Sequence, residues 1–318
     1  MKIVVTGASG QLGRALVHRL GARGHDVIAV SRDGAVPEPP FESPAGNASV
    51  RGLAVDLASD DSIARLSVEL GAAAALVHLA AWRPLVAAPS TVSRQRLVEV
   101  NVLGTLRVLD AVRCARDKPG VVVCASCAEV YGAAAGDQPL TELSPLKPIT
   151  DYAATKLAAE DHLRAFAIEE QIRVVALRMA RLYGPDGRQP SAFDAWLCSA
   201  ARGDRPKLRS SPSAASEQLQ VRDAALAVER ALTSEASGTF NISDGTSRST
   251  LELARLAMQA AGLRGEPELE PRFEDEAVQP RLSIERARRE LQFEPEVSLL
   301  DGLSQQLRWL RAAGEAAS

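Results

Sequence analysis

The chain has 318 residues, of which 46% are hydrophobic and 24% charged, and its formal net charge is −3. This length can bury an ample apolar core, and the mild negative charge provides no broad basic field, so we expect no nucleic-acid partner. No stretch approaches the roughly 20 apolar residues that span a bilayer, and the first residues enter a β-like run directly. We therefore expect a cytoplasmic protein with no membrane segment or cleavable leader. The four cysteines lack the spacing of a zinc site or a disulfide framework, so we expect no metal.

Short apolar runs alternate with longer amphipathic stretches through the first 180 residues, which is typical of repeated βα units and a parallel sheet. The apolar runs predict strands over residues 2–6, 26–31, 50–55, 75–80, 119–125 and 172–178. Helical spacing with few breakers predicts helices over residues 11–23, 60–70, 91–117 and 151–170. We expect residues 1–180 to form an α/β Rossmann domain, a doubly wound parallel sheet with helices on both faces.

Beyond Tyr183 the pattern loosens into segments rich in Gly, Pro and Ser, notably 184–191 and 203–217. Helical spacing returns near residues 191–202, 222–233, 249–262, 283–291 and 299–313. We expect residues 181–318 to form a smaller, mainly substrate-binding lobe, some segments of which return to the Rossmann domain. Residues 37–47 have the composition of a surface loop.

A glycine-rich turn follows the first predicted strand and precedes a helix, in the run Thr6-Gly7-Ala8-Ser9-Gly10-Gln11-Leu12-Gly13. Glycines here let the backbone approach a pyrophosphate closely, and the helix N-terminus offers N–H groups to the anion. The last glycine lets the helix pack on the sheet. We predict a dinucleotide site whose residues are Gly7, Gly10, Gln11, Leu12 and Gly13.

The end of the second predicted strand bears on which dinucleotide binds. An acidic residue there normally holds a free ribose 2′-hydroxyl, whereas an Arg suits a 2′-phosphate. This strand ends in Ser31 and Arg32, and Arg32 can offer a planar fork to a phosphate. The sequence favours NADP. Binding of NAD is the alternative. In that case Arg32 is a solvated loop residue, and the acidic residue that holds the ribose is Asp33, the next residue along the chain.

Tyr152 and Lys156 lie four residues apart at the start of a predicted helix, so both side chains project from one face. A neighbouring ammonium and an oxidised nicotinamide favour the phenolate of a tyrosine and bring it within reach of general acid–base work. We predict a site of hydride and proton transfer here. The alternative is a surface pair that has this spacing by chance.

The Gly7-x-x-Gly10-x-x-Gly13 spacing resembles the extended short-chain dehydrogenase/reductase family, in its NAD(P)-dependent epimerase/dehydratase branch. Later stretches are similar in order and spacing, and they cover nearly the whole chain: Asp56-Leu57, His78-Leu79-Ala80-Ala81, Asn101, Ser126 to Gly132, Tyr152-x-x-x-Lys156, Arg178 with Tyr183-Gly184-Pro185, Val221-Arg222-Asp223 and Asn241-Ile242. We assign His78 to the core.

The resemblance implies that Tyr152 is the general acid–base and that Lys156 binds the ribose and assists electrostatically. It also implies a homodimer that buries the helices 91–117 and 151–170. Further cofactor contacts implied in this way are Ser31, Arg32, Asp56, Leu57, Leu79, Ala80, Ala81 and Asn101.

The third catalytic residue of the family is a Ser or Thr three residues before the Val of the Val130-Tyr131-Gly132 run, and Cys127 stands there. A thiol is a weaker hydrogen-bond donor than a hydroxyl. Ser126 could substitute only if the strand has already ended, because neighbouring residues of a strand point to opposite faces. We expect Cys127 to face the site; a buried small hydrophobe is its other interpretation.

We expect substrate contacts from Trp82, Cys127, Glu129, Arg181 and Arg222. The resemblance implies a sugar-nucleotide epimerase/dehydratase-type oxidoreductase, in which Glu129 stands where family dehydratases place an acid–base residue. Arg181, however, replaces a common Asn, and Ser216 stands at the approximate place of an Arg. Since a bound diphosphate needs charge-assisted donors, we expect weak nucleotide-sugar binding. An NADPH-dependent carbonyl reductase acting on a non-nucleotide small molecule and a catalytically weakened dinucleotide-binding protein stay open.

Overall fold

The computed structural model describes residues 1–40, 49–83, 91–133, 138–185, 192–274 and 281–315; most of the predicted loop at 37–47 lies outside them. The strands are β1 (Lys2–Thr6), β2 (Asp26–Ser31), β3 (Val50–Ala54), β4 (Ala75–His78), β5 (Val121–Cys127), β6 (Arg173–Met179), β7 (Arg181–Tyr183), β8 (Lys207–Ser210), β9 (Ala215–Gln220), β10 (Gly238–Ile242), β11 (Ser247–Ser249) and β12 (Glu268–Glu274). The α-helices are α1 (Gln11–Ala22), α2 (Asp60–Leu70), α3 (Thr91–Leu97), α4 (Gly104–Arg113), α5 (Asp151–Glu170), α6 (Ala192–Ala201), α7 (Val221–Thr233), α8 (Thr250–Ala261) and α9 (Leu299–Glu315).

Seven parallel strands form the central sheet in the order β10-β6-β5-β4-β1-β2-β3. The chain winds outward from β1 through β2 and β3, and then crosses back to place β4 on the other side of β1. In sheets of this kind ligands bind at the carboxyl ends of the strands beside this reversal. The predicted Rossmann fold is confirmed, and the reversal lies directly above the glycine-rich turn.

Two apolar layers cover the sheet, as the alternation of side chains along a strand requires. On β1, Ile3 and Val5 belong to one buried cluster, which includes residues of α1 and α7. Val4 belongs to the other cluster, with residues of α2, α4 and α5. The long helix α5, which carries Tyr152 and Lys156, is therefore held against the sheet by its own buried face.

The C-terminal part divides between two places. Helix α7 packs on α1, and β10 pairs with β6, so both belong to the layers around the central sheet. The helices α6, α8 and α9 surround a separate buried cluster that includes Tyr183, Phe193 and Leu197. Two small sheets, β7-β9-β11 and β8-β12, complete this lobe.

Several predicted boundaries were wrong in this part of the chain. Residues 203–217, expected to be irregular, contain β8 and the beginning of β9. Strand β9 could not be predicted from the sequence, because a strand is recognised by apolar residues at its buried positions. In β9 the buried positions include the polar residues Glu217, Gln218 and Gln220. In the N-terminal half, the strand expected at 119–125 lies two residues later, as β5 begins at Val121 and extends to Cys127. Among the residues that the structure describes, no helix has the length and apolar character needed to cross a membrane.

Candidate active site

A cleft of about 1800 Å³ lies along the carboxyl ends of the central strands and reaches into the smaller lobe. Its walls come from the glycine-rich turn after β1, the ends of β2, β4 and β5, the start of α5, and β7 of the lobe. All but two of the predicted site residues border it. The cleft is thus where the sheet topology places a ligand, and it joins the predicted dinucleotide site to Tyr152 and Lys156.

The glycine-rich turn has the shape that a bound pyrophosphate requires. Gly7 has φ +72°, and a Cβ there would lie 2.5 Å from the Ala80 backbone nitrogen. A Cβ at Gly13 would lie 2.2 Å from the Gly7 carbonyl oxygen. Helix α1 begins after Gly10 with no side-chain cap and no acidic residue in its first turn. Its N–H groups and positive dipole end therefore face the cleft, which fits the phosphates of a dinucleotide. Leu12 lines the same wall.

Gln11 joins this turn to the smaller lobe, since its side-chain amide donates a hydrogen bond of 2.9 Å to the Gly184 carbonyl. At the far end of the cleft, Ser31 is buried and donates a hydrogen bond of 2.7 Å to Asp33. The Asp33 carboxylate also accepts one from the Ala35 N–H. Arg32 is exposed and lines the cleft, as do Asp56 and the buried Leu57. These residues border the part of the cleft where the sequence predicts the adenosine half of a dinucleotide.

The segment after β4 packs directly against the glycine-rich turn, and Leu79, Ala80 and Ala81 line the cleft there. Asn101 does not line the cleft, so this geometry gives no support to its prediction as a cofactor contact. Its side chain is buried behind Trp82, accepting from the Trp82 N–H at 2.7 Å and donating to the Trp82 carbonyl at 3.0 Å. Asn101 also donates to Thr155 on α5. It lies in a π-helical stretch, Val98–Leu103, and braces the cleft wall against α5.

His78 is a core residue, as we assigned it. Its two ring nitrogens bind the hydroxyls of Thr6 and Thr105 at 2.7 and 3.0 Å. Burial lowers the pKa of His78 to about 3, so that the ring is neutral. The ring holds β1, β4 and α4 together beneath the cleft.

Tyr152 and Lys156 project from the first turns of α5 into the cleft. The helix begins there because the Thr150 side chain accepts a hydrogen bond of 3.1 Å from the Ala153 N–H. Burial raises the pKa of Tyr152 well above its usual range, and the negative charge of Glu129 raises it further. The cation that lowers this pKa is Arg83. The sequence had suggested the Lys156 ammonium for this role, whereas the structure brings a second cation to the phenol.

Cys127 and Ser126 face different ways, because β5 continues through both. The Ser126 hydroxyl, although at the margin of the cleft, donates to the Glu160 carboxylate. Its proposed substitution for Cys127 is therefore not supported by this geometry. Burial raises the pKa of the Cys127 thiol to about 12, so the sulfur is protonated near neutral pH and can donate a weak hydrogen bond. Lys156 acts on the same thiol electrostatically.

A buried ion pair supports the catalytic side of the cleft. Arg178 on β6 donates to Glu160 on α5 at 2.7 Å, and the two side chains are 3% and 2% exposed. Arg178 also donates to the Tyr131 hydroxyl at 2.9 Å, and that hydroxyl donates to Asn241 on β10. Together with the Ser126 contact, this network joins β5, β6, β10 and α5. The network fixes the position of α5 relative to the end of β5. It therefore also fixes where Tyr152 lies.

Glu160→Gln tests this network, because it leaves the Arg178 charge buried without its counterion. We expect a loss of about 3–5 kcal/mol in the free energy of unfolding. The matched control is Asp161→Asn, the next residue on α5, whose exposed pair with Arg164 contributes at most about 1 kcal/mol. Urea unfolding followed by circular dichroism measures both. Equal losses for the two variants would contradict the network.

The predicted substrate residues do not all come together. Trp82, Glu129 and Arg181 line the cleft. Arg222 does not, since it is exposed on the first turn of α7, and this cleft gives no support to its prediction as a substrate contact. Sequence reasoning missed Arg83 and Arg96, which also line the cleft. The one sequence signal for Arg83 is its position two residues after the His78-Leu79-Ala80-Ala81 stretch. Within the described ranges, no cluster of His, Cys, Asp and Glu could hold a metal ion.

Known proteins share this architecture. The chain is 29% identical to the UDP-glucose 4-epimerase of Mycolicibacterium smegmatis, over 98% of this chain and 99% of that protein. It is 31% identical to a dTDP-glucose 4,6-dehydratase of Streptomyces griseus, over 74% and 70%. The solved structure of MoeE5 with UDP-glucose and NAD has a TM-score of 0.83 at 27% identity, covering 98% of this chain and 99% of that one.

The family model of the NAD dependent epimerase/dehydratase family matches residues 3–243, which include the whole central sheet except Lys2, and Tyr152 with its neighbours. The matched region exceeds half of the chain, and the resemblance seen in the sequence is confirmed. The chain belongs to the NAD-dependent epimerase/dehydratase family and is an enzyme of the extended short-chain dehydrogenase/reductase type.

Proposed function

We propose that this enzyme epimerises a nucleotide sugar by transient oxidation of one ring carbon, without net consumption of coenzyme. The observation that carries the proposal is that the glycine-rich turn, Tyr152 and Lys156 all line one continuous cleft. UDP-glucose 4-epimerases that align along nearly their whole length support the choice of epimerisation. A bound NAD, or NADP if the preference predicted below holds, would supply the acceptor and later the donor of the hydride.

The chain's own residues manage the proton and the substrate oxygen. Tyr152, as phenolate, takes the proton of the sugar hydroxyl while the carbon loses hydride, and a ketone forms. Lys156, which lines the same cleft, would hold the coenzyme ribose and add positive charge near the reacting atoms. The Cys127 thiol donates a weak hydrogen bond to the same oxygen. When hydride returns to the opposite face of the ketone, Tyr152 gives the proton back, so that atoms and charges balance.

The reaction type can be tested with the purified protein and UDP-glucose, UDP-glucuronic acid and dTDP-glucose. We expect an epimer to form from one of these sugars with less than stoichiometric change in NADH absorbance. Stoichiometric oxidation of NADPH with a simple ketone would instead favour the carbonyl reductase alternative. No turnover with either class, together with tight coenzyme binding, would favour a non-catalytic dinucleotide-binding protein.

We infer that the diphosphate is held more weakly than is usual for the family. The inference rests on the sequence positions, because Arg222 lies outside the cleft and Ser216 is hydrogen-bonded to Gln218. Besides Arg181, the lobe residues Arg202, Arg205 and Arg209 border the cleft and are the other candidate donors to a diphosphate. Calorimetry with UDP, dTDP and GDP measures this affinity. Tight binding of any one, lost in Arg181→Ala, would contradict the weakening and strengthen the nucleotide-sugar assignment.

The NADP preference predicted from Ser31 and Arg32 has no support from the relatives, whose solved complexes contain NAD. It stays a prediction from this chain's own residues, because the Asp33 carboxylate is already engaged by Ser31 and Ala35 while Arg32 borders the cleft. We expect Arg32→Ala to weaken NADPH binding about tenfold and to leave NADH binding unchanged. Fluorescence titration of both coenzymes measures this, with Arg96→Ala as the control. Equal affinity of the unmutated protein for both would overturn it.

Cys127→Ser tests whether the thiol stands where a hydroxyl serves better. A hydroxyl is the stronger donor, so we expect activity to be preserved or to rise by up to about tenfold. Cys124→Ser is the matched control, because Cys124 is buried on β5 outside the cleft. Steady-state kinetics at saturating coenzyme compare the variants. A large loss in Cys127→Ser alone would show that the thiol has a role of its own.

The remaining expectations concern the setting of the enzyme. We infer a homodimer that buries the α3–α4 region and α5, as the resemblance implies. Cytoplasmic localisation also stays a prediction.

A further inference from the structure

Arg83, Glu129 and Tyr152 form a cluster to which the reaction described above assigns no joint role. Arg83 follows β4, Glu129 lies in the 3-10 turn Ala128–Tyr131 after β5, and Tyr152 begins α5. The Arg83 guanidinium lies 4.8 Å from the centre of the Tyr152 ring. It also donates to the Glu129 carboxylate at 2.8 Å. Three separate elements thus bring one cation into contact with both an anion and the acid–base phenol.

The two charges act on the phenol in opposite directions. Positive charge beside a tyrosine favours the phenolate, and negative charge favours the phenol. Because Arg83 and Glu129 are hydrogen-bonded to each other, each partly cancels the effect of the other on Tyr152. The side chain of Arg83 is 47% exposed and that of Glu129 13%. Both border the cleft and are open to a ligand that enters it.

Resting on the proposed function, we propose that Arg83 and Glu129 are a pair of positioning residues that sets when Tyr152 gives up its proton. While the pair is intact, the phenol keeps its proton. A sugar hydroxyl that donates to Glu129 draws the carboxylate charge away from the phenol and leaves the guanidinium above it. The phenolic proton then leaves to water, and the phenolate is ready for the hydroxyl of the reacting carbon. Proton removal is thereby tied to the arrival of a polyhydroxylated substrate.

Other charged or titratable groups face Tyr152, and in this proposal their charge does not change when the substrate binds. Those on neighbouring elements are Cys124 and Cys127 on β5, whose ionisation would raise the pKa of the phenol. On α5 itself, Lys156 lies one turn away, and Asp151 is paired with Arg94 of α3. Of the groups that face Tyr152, Arg83 is the cation that also contacts a cleft acid, Glu129. A ligand in the cleft can therefore change the charge that this pair presents to Tyr152.

The test is a spectroscopic titration of Tyr152 in the NAD-loaded protein, without any sugar nucleotide. The chain has three tyrosines, so subtracting the tyrosinate absorbance of Tyr152→Phe isolates Tyr152. We expect Arg83→Gln to raise the pKa of Tyr152 by at least about one pH unit, and Glu129→Gln to lower it by a similar amount. Arg83→Lys, which keeps the charge, restores most of the original value. Arg96→Gln is the control, since Arg96 lines the same cleft but lies over Trp82 at 5.6 Å.

Opposite shifts in the two variants support the pair, because loss of structure would move both in one direction. Shifts of the same sign, no shift, or an equal shift in Arg96→Gln would overturn it. The outcome is independent of turnover: if Tyr152→Phe kept full activity, the proposed reaction would fail while the titration still decided the role of the pair. If the reaction holds, the acid limb of the pH–rate profile moves to higher pH in Arg83→Gln and to lower pH in Glu129→Gln.

Discussion

Tyr152→Phe is expected to lower kcat by about 10²–10⁴-fold, the range that a positioned general acid–base contributes. The phenyl ring keeps its place against the cleft wall, so the coenzyme affinity changes little. The substrate affinity also stays within a few-fold, because the hydroxyl is needed for proton transfer rather than for binding. Coenzyme titration and steady-state kinetics on one preparation separate the two effects.

The matched control removes a hydroxyl of the same kind from the smaller lobe. Tyr183 is buried in the cluster with Phe193 and does not line the cleft. We expect Tyr183→Phe to lower the thermal stability slightly and to keep kcat near that of the unmutated enzyme. Full activity of Tyr152→Phe with a turned-over substrate would show that the proton goes elsewhere.

Gly7→Ala is expected to weaken coenzyme binding by at least about 100-fold. The Cβ cannot be placed without displacing the Ala80 backbone, which lies 2.5 Å away, and the left-handed φ of +72° adds strain of about 1–3 kcal/mol. The turn and the segment after β4 must separate, which displaces the glycine-rich turn and the start of α1 that we propose to hold the pyrophosphate. Quenching of tryptophan fluorescence by added coenzyme measures the affinity.

Gly24→Ala distinguishes the close approach from the backbone strain. Gly24 has φ +80°, nearly that of Gly7, but nothing lies within 4 Å of an added Cβ. It should lose thermal stability from the same strain and bind coenzyme normally. If both variants bind coenzyme equally well, the Gly7 contact with Ala80 is not what shapes the site.

The N-terminal half of the fold could be predicted because its strands are short apolar runs bounded by turn residues. Runs such as Ile3-Val4-Val5 are buried on both faces, which gives an unambiguous signal. Strand β10 is an edge strand of the sheet, although it lies beyond residue 180 in the sequence. Its short length and its first residues, Gly238-Thr239, do not distinguish it from a loop. Its position follows from tertiary pairing with β6, which a local pattern does not contain.

The candidate site divides in the same way. Glycines and the Tyr152/Lys156 spacing are local signals, and the cleft contains them all. Asn101 was predicted as a contact because its motif is local, but whether an amide faces a cleft or braces its wall depends on Trp82 and Thr155, which are distant in sequence. Arg83 was missed for the converse reason. Its importance arises only when α5 and the turn after β5 approach it in space.

The late arrival of β10 has a consequence for how this protein is made and rearranged. During synthesis on the ribosome, the edge of β6 stays unpaired until residues 238–242 have emerged. The apolar face of α1 likewise stays uncovered until α7 has been made. An open edge strand and an uncovered apolar helix face are what promote association of incomplete chains. A shortened protein ending near residue 180 should therefore precipitate. Any exchange of substrate lobes between relatives has to keep residues 221–242 with the N-terminal half.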